Sequence, residues 1–327
     1  MRIRCNERFR PFSHTPGTSV VLPGTFFSFQ IYPTKLFAYD LSNINPALLR
    51  DCVLKLSAPI TEFTVQLDLE RGWIKVWGKS LQGFFRYRIE RTTDSWGIVV
   101  EKAPKEGLFE SDLTKKHFIN NSWNRDLLFL GCLKTQDWDA AIRRSSMSEI
   151  FPFWYRLGSY YLEHVEGSGG TLDLLANSFD GLKDAWAAGF KGILSPAFQD
   201  FKHQGFSLSC DQLSGSPIAL LQKGALCIRS LLIDEAKGKI SILPHLPPEF
   251  HCGKWLRLQA SGHDLDIEWT KKSIRRIVIR AGKTEALLLT LPSKVRRFRL
   301  NGGSTLQAGD LLNVEAGSTY FLDRFEK

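Results

Sequence analysis

Short segments in which apolar and polar residues alternate fill most of the first third of the chain. They run over residues 26–32, 36–40, 63–69, 73–77, 84–89 and 96–100. Alternation of period two is typical of β-strands that bury one face. Turn-forming residues such as Glu70-Arg71-Gly72 separate the segments at the spacing of an antiparallel meander. The pattern predicts an N-terminal antiparallel β-sandwich over residues 1–107.

A different apolar period begins after Ala103-Pro104-Lys105-Glu106-Gly107. Apolar residues now recur every three or four positions, which is typical of amphipathic helices. Helices are predicted over residues 138–144, 147–165, 171–179, 180–190 and 217–233. The last of these is the clearest, because Ser216 can cap it and Pro217 suits the first helical position. We therefore predict a helical region over residues 108–236.

Strand-like alternation returns after Gly238. It covers residues 240–243, 256–259, 265–269, 274–280, 286–291, 295–300 and 319–322. These strands predict a C-terminal β-sandwich over residues 237–327. The order β, then α, then β favours a multi-domain protein with separate layers over a doubly wound sheet.

The composition of the 327-residue chain is that of a folded globular protein, with 43% hydrophobic and 24% charged residues. No apolar run approaches the ~20 residues of a membrane-spanning helix. The basic N-terminus lacks the apolar core of a signal peptide. The six cysteines are scattered without a C-x-x-C pair, as in proteins of a reducing compartment. We expect a soluble, cytoplasmic protein without membrane contact.

The net charge of +9 allows for an anionic partner. Basic residues are frequent in the predicted C-terminal strands, as in Arg275-Arg276 and Arg296-Arg297. Alternate positions of a strand face opposite ways, however, so these charges can lie on the solvent side of a sandwich. Phe298 is the aromatic residue there that could stack on a base. Nucleic-acid binding is therefore the less favoured interpretation of this sheet.

Familiar catalytic strings are missing, since the chain has no G-x-S-x-G, H-E-x-x-H or Walker-type glycine loop. The run Gly167-Ser168-Gly169-Gly170-Thr171 is interpreted as a turn and not as a phosphate-binding loop, because no strand precedes it and it has no lysine. The group His245, His251, Cys252 and His263 fits no standard zinc spacing. We predict neither a metal nor a cofactor.

Carboxylates of the helical region are the remaining candidates for chemistry, because cleavage of a glycosidic bond takes two of them. The candidates are Glu163, Glu166, Asp173, Asp180, Asp184, Asp200 and Asp211. Asp211 is preferred because it lies in a Ser/Gly-containing loop ahead of the 217–233 helix, and Glu166 is taken as its partner. Trp186, His203 and Phe206 are candidate sugar-binding residues. The alternative is that the aromatic residues fill the core between helices.

One stretch of the sequence resembles a known family. The residues are Ile240-Ser241-Ile242-Leu243-Pro244-His245-Leu246-Pro247-Pro248-Glu249-Phe250, Gly253 and Leu265-Asp266-Ile267-Glu268-Trp269. They resemble the exit from the helical barrel and the start of the last β-sandwich in glycoside hydrolases of the α-L-fucosidase type (family 95), which belong to the six-hairpin glycosidases. Residues 1–240, with Asp137-Trp138-Asp139 among the matching strings, resemble uncharacterised proteins of chlamydia-type bacteria, a likeness that implies no function.

The resemblance implies a β-sandwich, an (α/α)6 barrel and a second β-sandwich. Residues 108–236 leave room for about six to eight helices, so we expect a shortened, partial α/α toroid in place of the barrel. The implied function is a divergent carbohydrate-active protein that hydrolyses a glycosidic bond. Asp211 and Glu166 are candidates from the residues alone, because the family's catalytic acids have no matching positions in this sequence. The first alternative is an inactive pseudoenzyme that binds a glycan or a protein, and the second is nucleic-acid binding. The oligomeric state stays open.

Overall fold

A computed structural model describes residues 2–4, 7–93, 95–105, 107–109, 126–131, 136–161, 163–199 and 212–327. Within these ranges the chain is mostly β-structure, in sheets that are largely antiparallel. Four α-helices lie in sequence between the first and the last strands, so the order β, then α, then β is the predicted one. None of these described helices is both long and apolar enough to cross a membrane.

Nine strands form the N-terminal part. They are β1 (Phe12–Ser13), β2 (Thr18–Val21), β3 (Phe27–Ile31), β4 (Lys35–Asp40), β5 (Ala47–Val53), β6 (Thr61–Asp68), β7 (Trp73–Ser80), β8 (Gly83–Arg91) and β9 (Trp96–Lys102). One sheet has the order β1-β6-β7-β8-β9, and the other has the order β2-β3-β4-β5. Phe29 of β3 meets Trp96 of β9 edge-on, with ring centroids 5.0 Å apart, so the two sheets are in contact.

Four helices and several short strands follow. The described elements are β10 (Leu127–Leu130), α1 (Trp138–Arg144), α2 (Met147–Gly158), β11 (Gly167–Ser168), a 3-10 helix (Gly170–Leu174), α3 (Phe179–Gly189), β12 (Phe190–Lys191), β13 (Ser195–Pro196), β14 (Ser214–Gly215) and α4 (Ile218–Leu232). The N-cap residue of α4 is Pro217 and not Ser216 as predicted, but Oγ of Ser216 accepts a hydrogen bond from the backbone N of Ile218 at 3.1 Å and so supports the start of the helix.

Two predicted helices differ from the structure. The helix predicted to run to residue 165 ends at Gly158. It ends there because Tyr160 and Tyr161 turn toward the N-terminal strands, where their hydroxyls donate to the backbone oxygens of Leu69 and Thr25. The helix predicted over residues 171–179 is wrong for most of its length, and a single 3-10 turn takes its place.

Helices α2 and α4 pack closely through glycine. A Cβ atom on Gly158 would lie 2.1 Å from the backbone oxygen of Leu221, and one on Gly224 would lie 2.1 Å from Cζ2 of Trp154. Any larger residue at either position would force the helices apart. The glycines therefore fix α4 directly against α2 and bring its polar side chains to the segment that follows α2.

Ten strands complete the chain. They are β15 (Ile233–Ala236), β16 (Lys239–Ile242), β17 (Cys252–Ala260), β18 (His263–Thr270), β19 (Ser273–Arg280), β20 (Glu285–Thr290), β21 (Arg297–Leu300), β22 (Thr305–Gln307), β23 (Leu311–Val314) and β24 (Thr319–Glu326). One sheet has the order β10-β17-β18-β19-β24-β21-β22, and the other has the order β15-β16-β20-β23. Strand β10, from the region predicted to be helical, pairs antiparallel with β17.

The residues that carry the family resemblance pack against one another. Phe250 is fully buried, and its backbone oxygen accepts a hydrogen bond from Nε1 of Trp269 at 2.9 Å. A Cβ atom on Gly253 would lie 2.2 Å from Cζ2 of Trp269, so only glycine fits beside that ring. Within this structure the aromatic, the glycine and the tryptophan of the motif have a packing role.

Candidate functional site

A pocket of about 490 Å³ opens where the N-terminal strands meet the segment that follows α2. Its walls come from the β2–β3 turn, the end of β4, the β8–β9 turn and the segment after α2. The lining residues are Gly24, Thr25, Phe26, Phe27, Asp40, Ser42, Arg91, Thr92, Thr93, Ser95, Tyr160, Tyr161, Glu163, His164 and Val165. The volume and the mixture of aromatic and polar groups are typical of a small-molecule site.

Helix α4 holds the wall formed by the segment after α2. Gln222, which is 7% exposed, accepts a hydrogen bond from the backbone N of Val165 at 2.8 Å. The amide nitrogen of the same side chain donates to the backbone oxygens of Tyr161 and Glu163. One buried amide therefore satisfies three backbone groups and fixes the path of this segment.

The start of α4 holds a second wall. The hydroxyl of Ser216 donates to the backbone oxygen of Leu41, which lies between the pocket residues Asp40 and Ser42. The backbone N of Ser216 also donates to the backbone oxygen of Glu166 at 2.9 Å. The helix thus connects the end of β4 to the segment after α2, and both walls are positioned by the same element.

The two tyrosines of the pocket have structural roles. Tyr160 donates to the backbone oxygen of Leu69 at 2.6 Å, and Tyr161 donates to the backbone oxygen of Thr25 at 2.8 Å. Burial raises the pKa of Tyr161 well above its ordinary value, although the backbone contacts with Thr25 and Gly24 partly oppose this. A phenol that stays protonated and already donates is part of the wall and not an acid–base group.

Four groups in the pocket can carry charge, namely Asp40, Arg91, Glu163 and His164. Oδ1 of Asp40 accepts hydrogen bonds from the backbone N and the hydroxyl of Ser42, at 2.8 and 2.6 Å. This arrangement is an Asx turn, and it orients the carboxylate. Arg91 is half-buried, whereas Glu163 and His164 are exposed. The pocket therefore offers two carboxylates and at least one cation to a ligand.

Of the residues predicted as the site, Glu166 and Trp186 are described by the structure, and neither lines this pocket. Glu166 is exposed and follows the pocket residue Val165 in sequence. Trp186 is half-buried on α3, where it packs against the apolar core, and its Nε1 has no hydrogen-bond partner among the described residues. Asp211, His203 and Phe206 lie outside the described residues. The pairing of Glu166 with Asp211 stays a prediction.

Sequence reasoning included Glu163 among its candidate carboxylates but missed Asp40 and Arg91. Asp40 closes a predicted strand, where the string Asp40-Leu41-Ser42 is typical of an ordinary turn. Arg91 ends another strand and is one of many arginines there. Only the packing of α4 and of the segment after α2 brings these residues to one pocket, so no local signal could have identified them.

The basic C-terminal strands are extensively ion-paired. Arg276 contacts Glu268 at 3.1 Å, and Arg299 contacts Asp323 at 2.8 Å. Arg280 contacts Asp266 at 2.6 Å and Asp264 at 3.6 Å in addition. These pairs offset part of the positive charge that nucleic-acid binding by this sheet would use.

Three histidines and one cysteine lie close together in the sequence, namely His245, His251, Cys252 and His263. Of these, His263 contacts Glu285, with 2.6 Å between Nε2 and Oε1. Across the part of the chain that the structure describes, no group of three or more His, Cys, Asp or Glu side chains is placed to hold a metal ion.

No family model matches the chain, and no curated protein matches it either. The resemblance to the α-L-fucosidase type therefore stays a prediction from the sequence, and the function is inferred from the pocket and its residues.

Proposed function

We propose that this protein binds a saccharide in the pocket between the N-terminal strands and the segment after α2. The observation that carries the proposal is the combination of an accessible aromatic ring with hydrogen-bonding groups in one concave site. Phe26 is 37% exposed although it lines the pocket. An apolar ring face of this kind can pack against the C–H face of a sugar, while the polar groups bind its hydroxyls.

The polar groups of the pocket suit sugar hydroxyls. An ionised carboxylate accepts several hydrogen bonds, and Oδ2 of Asp40 makes none within the described part of the chain. Thr93 and Glu163 are exposed at the rim and can also accept hydrogen bonds from hydroxyl groups. Tyr160 and Tyr161, whose hydroxyls already donate to backbone oxygens, contribute to the shape of the wall.

Hydrolysis is the second candidate function, and the presence of two carboxylates in one pocket favours it. Asp40 lies at the end of β4 and Glu163 in the segment after α2, so the two carboxylates come from different elements of the pocket. A glycosidase uses two carboxylates, one as acid and the other as base or nucleophile. They join Glu166 and Asp211, the pair expected from the sequence, as residues to test. If no pair is active, the protein is a saccharide-binding pseudoenzyme.

The same proposal keeps the finer architecture that the resemblance implies. We infer that the N-terminal sheets form one sandwich and that the C-terminal sheets form another. The ring contact between Phe29 and Trp96 supports the first, and the contact between His263 of β18 and Glu285 of β20 supports the second. The close packing of α2 on α4 is compatible with part of an α/α toroid.

Saccharide binding is tested by calorimetric titration of the full chain with a panel of oligosaccharides. We expect saturable binding of at least one, and a loss of about tenfold or more in affinity for Phe26→Ala, because its ring supplies the stacking surface. Leu81→Ala is the matched control, since Leu81 is 72% exposed and lies outside the pocket. Absence of binding across the panel, or equal affinity for both variants, would disprove the proposal.

Hydrolysis is tested with aryl glycosides and four variants, Asp40→Asn, Glu163→Gln, Glu166→Gln and Asp211→Asn. Loss of a carboxylate that acts as acid, base or nucleophile lowers turnover by about a hundredfold or more. A loss confined to Asp40→Asn and Glu163→Gln would assign the pocket pair, and a loss confined to Glu166→Gln and Asp211→Asn would assign the pair expected from the sequence. If the unmodified protein shows saturable binding but forms no product, it binds a saccharide without hydrolysing it.

A further inference from the structure

Arg91 is the cation that faces the pocket from the end of β8. The side chain is half-buried, and its Nη1 lies 3.5 Å from the backbone oxygen of Gly24. This long contact is the only hydrogen bond of the guanidinium within the described residues. A guanidinium has five N–H donors, so most of the donors of this pocket residue make no hydrogen bond to the described residues.

Three other arginines of the N-terminal part have carboxylate partners. Arg10 contacts Asp68 at 2.9 Å, Arg86 contacts Glu101, and Arg88 contacts both Glu90 and Glu101. No carboxylate of the described residues lies within ion-pair distance of Arg91, although Asp40 and Glu163 line the same pocket. A half-buried charge without a counter-ion is unfavourable unless a ligand supplies one.

The geometry points to a carboxylated sugar as the ligand, and we propose that Arg91 binds the carboxylate of a uronic acid. This inference rests on the proposed saccharide binding and names the class of sugar. A planar guanidinium binds a carboxylate through two parallel hydrogen bonds, which neither a hydroxyl nor a lysine matches. Phe26 and Asp40 then contact the ring and the hydroxyl groups of the same ligand.

The test compares each acidic sugar with its neutral counterpart. Oligosaccharides of galacturonic and glucuronic acid are titrated beside the same compounds after chemical reduction of the carboxylates to hydroxymethyl groups. We expect the acidic form to bind about tenfold or more tightly, since a charge-assisted bidentate contact is the only difference. Added salt should reduce this preference, because it screens the charges.

Variants of Arg91 assign the preference to this side chain. Arg91→Gln should reduce the affinity for the acidic form to that for its reduced counterpart, and Arg91→Lys should restore part of the difference. Arg143→Gln is the matched control, because Arg143 is exposed on α1 and lies outside the pocket. Circular dichroism verifies that each variant is folded, and Arg91→Lys keeps the test valid if Arg91→Gln does not fold.

Three outcomes would overturn the inference. Equal binding of acidic and reduced sugars would disprove it and leave the saccharide proposal standing. Binding of neither form, nor of any other sugar, would disprove both. Binding of a tri-glutamate peptide as tightly as the uronic acid oligosaccharides, with the same dependence on Arg91, would make a peptide carboxylate and not a sugar the ligand.

Discussion

Asp264 shows how one residue can act against stability in an ion-paired sheet. It shares a face of β18 with Asp266, and both carboxylates face Arg280 of β19. The guanidinium is 2.6 Å from Asp266 but 3.6 Å from Asp264, so Asp266 has the better contact. Burial raises the pKa of Asp264, and the repulsion from Asp266 and Asp126 adds to this against the attraction of Arg280 and Arg257.

The raised pKa predicts the direction in which Asp264→Asn changes the free energy of unfolding. An acid with a higher pKa in the folded state destabilises the fold when it is ionised, and this destabilisation grows as the pH rises through the folded pKa. The variant should therefore have a higher free energy of unfolding than the original at pH 7. The gain should fade as the pH falls through the folded pKa of Asp264, and it should be absent below about 4, where the carboxyl is protonated in both states.

Urea denaturation at pH 7 and at pH 3.5 measures this difference. Asp234→Asn is the matched control, because Asp234 is exposed on β15. A destabilised Asp264→Asn variant at pH 7 would contradict the prediction and would mean that the contact with Arg280 outweighs burial.

Helix α4 acts as the organising element of the candidate site. Its glycine at position 224 allows close contact with Trp154 of α2, and its Gln222 then reaches the backbone of the segment after α2. Ser216 at its start reaches Leu41 at the end of β4. Because one helix contacts both walls, the shape of the pocket depends on a residue that does not line it.

Gln222→Met tests this role of α4. Methionine has a similar length but leaves the backbone N of Val165 and two backbone oxygens without their buried partner. We expect the free energy of unfolding to fall by about 2 kcal/mol, as for other buried hydrogen-bonding groups left unpaired. Hydrogen exchange at the amide of Val165 should also become faster, because that amide loses its acceptor.

Leu226→Gln is the control on the same helix, since Leu226 is 60% exposed. If Gln222→Met changes neither the stability nor the exchange at Val165, then the segment after α2 is held by other contacts. A loss of stability without faster exchange at Val165 would place the effect in the helix and not in the pocket wall.

The strands and helices that could be predicted from the sequence are those in which apolar residues recur with a clear period. Strands such as β7 and β8 bury alternate residues, and α1 has the bounds predicted for it. Strand β5 was missed because almost all of its residues are exposed, so no alternation is visible. The site was harder to predict, because the contacts of Gln222 and Ser216 join residues more than 50 positions apart.

At the scale of the whole molecule, the N-terminal residues contact the C-terminal sheet. Ile3 is 4% exposed and packs in a small apolar cluster with Leu256 of β17 and Val278 of β19. Nζ of Lys254 also donates to the backbone oxygen of Arg4 at 3.3 Å. The N-terminal residues are therefore joined to the seven-stranded sheet through β17 and β19.

Ile3→Ala tests whether this contact contributes to the stability of the whole fold. Removal of a buried isoleucine side chain lowers the free energy of unfolding by about 2 kcal/mol or more. We expect a lower urea midpoint with an unchanged slope, because the N-terminal residues and the C-terminal sheet would unfold together. Arg2→Ala is the control, since Arg2 is exposed. An unchanged midpoint for Ile3→Ala would show that the N-terminal contact does not stabilise the sheet, and a second, separate transition would show that the two parts unfold independently.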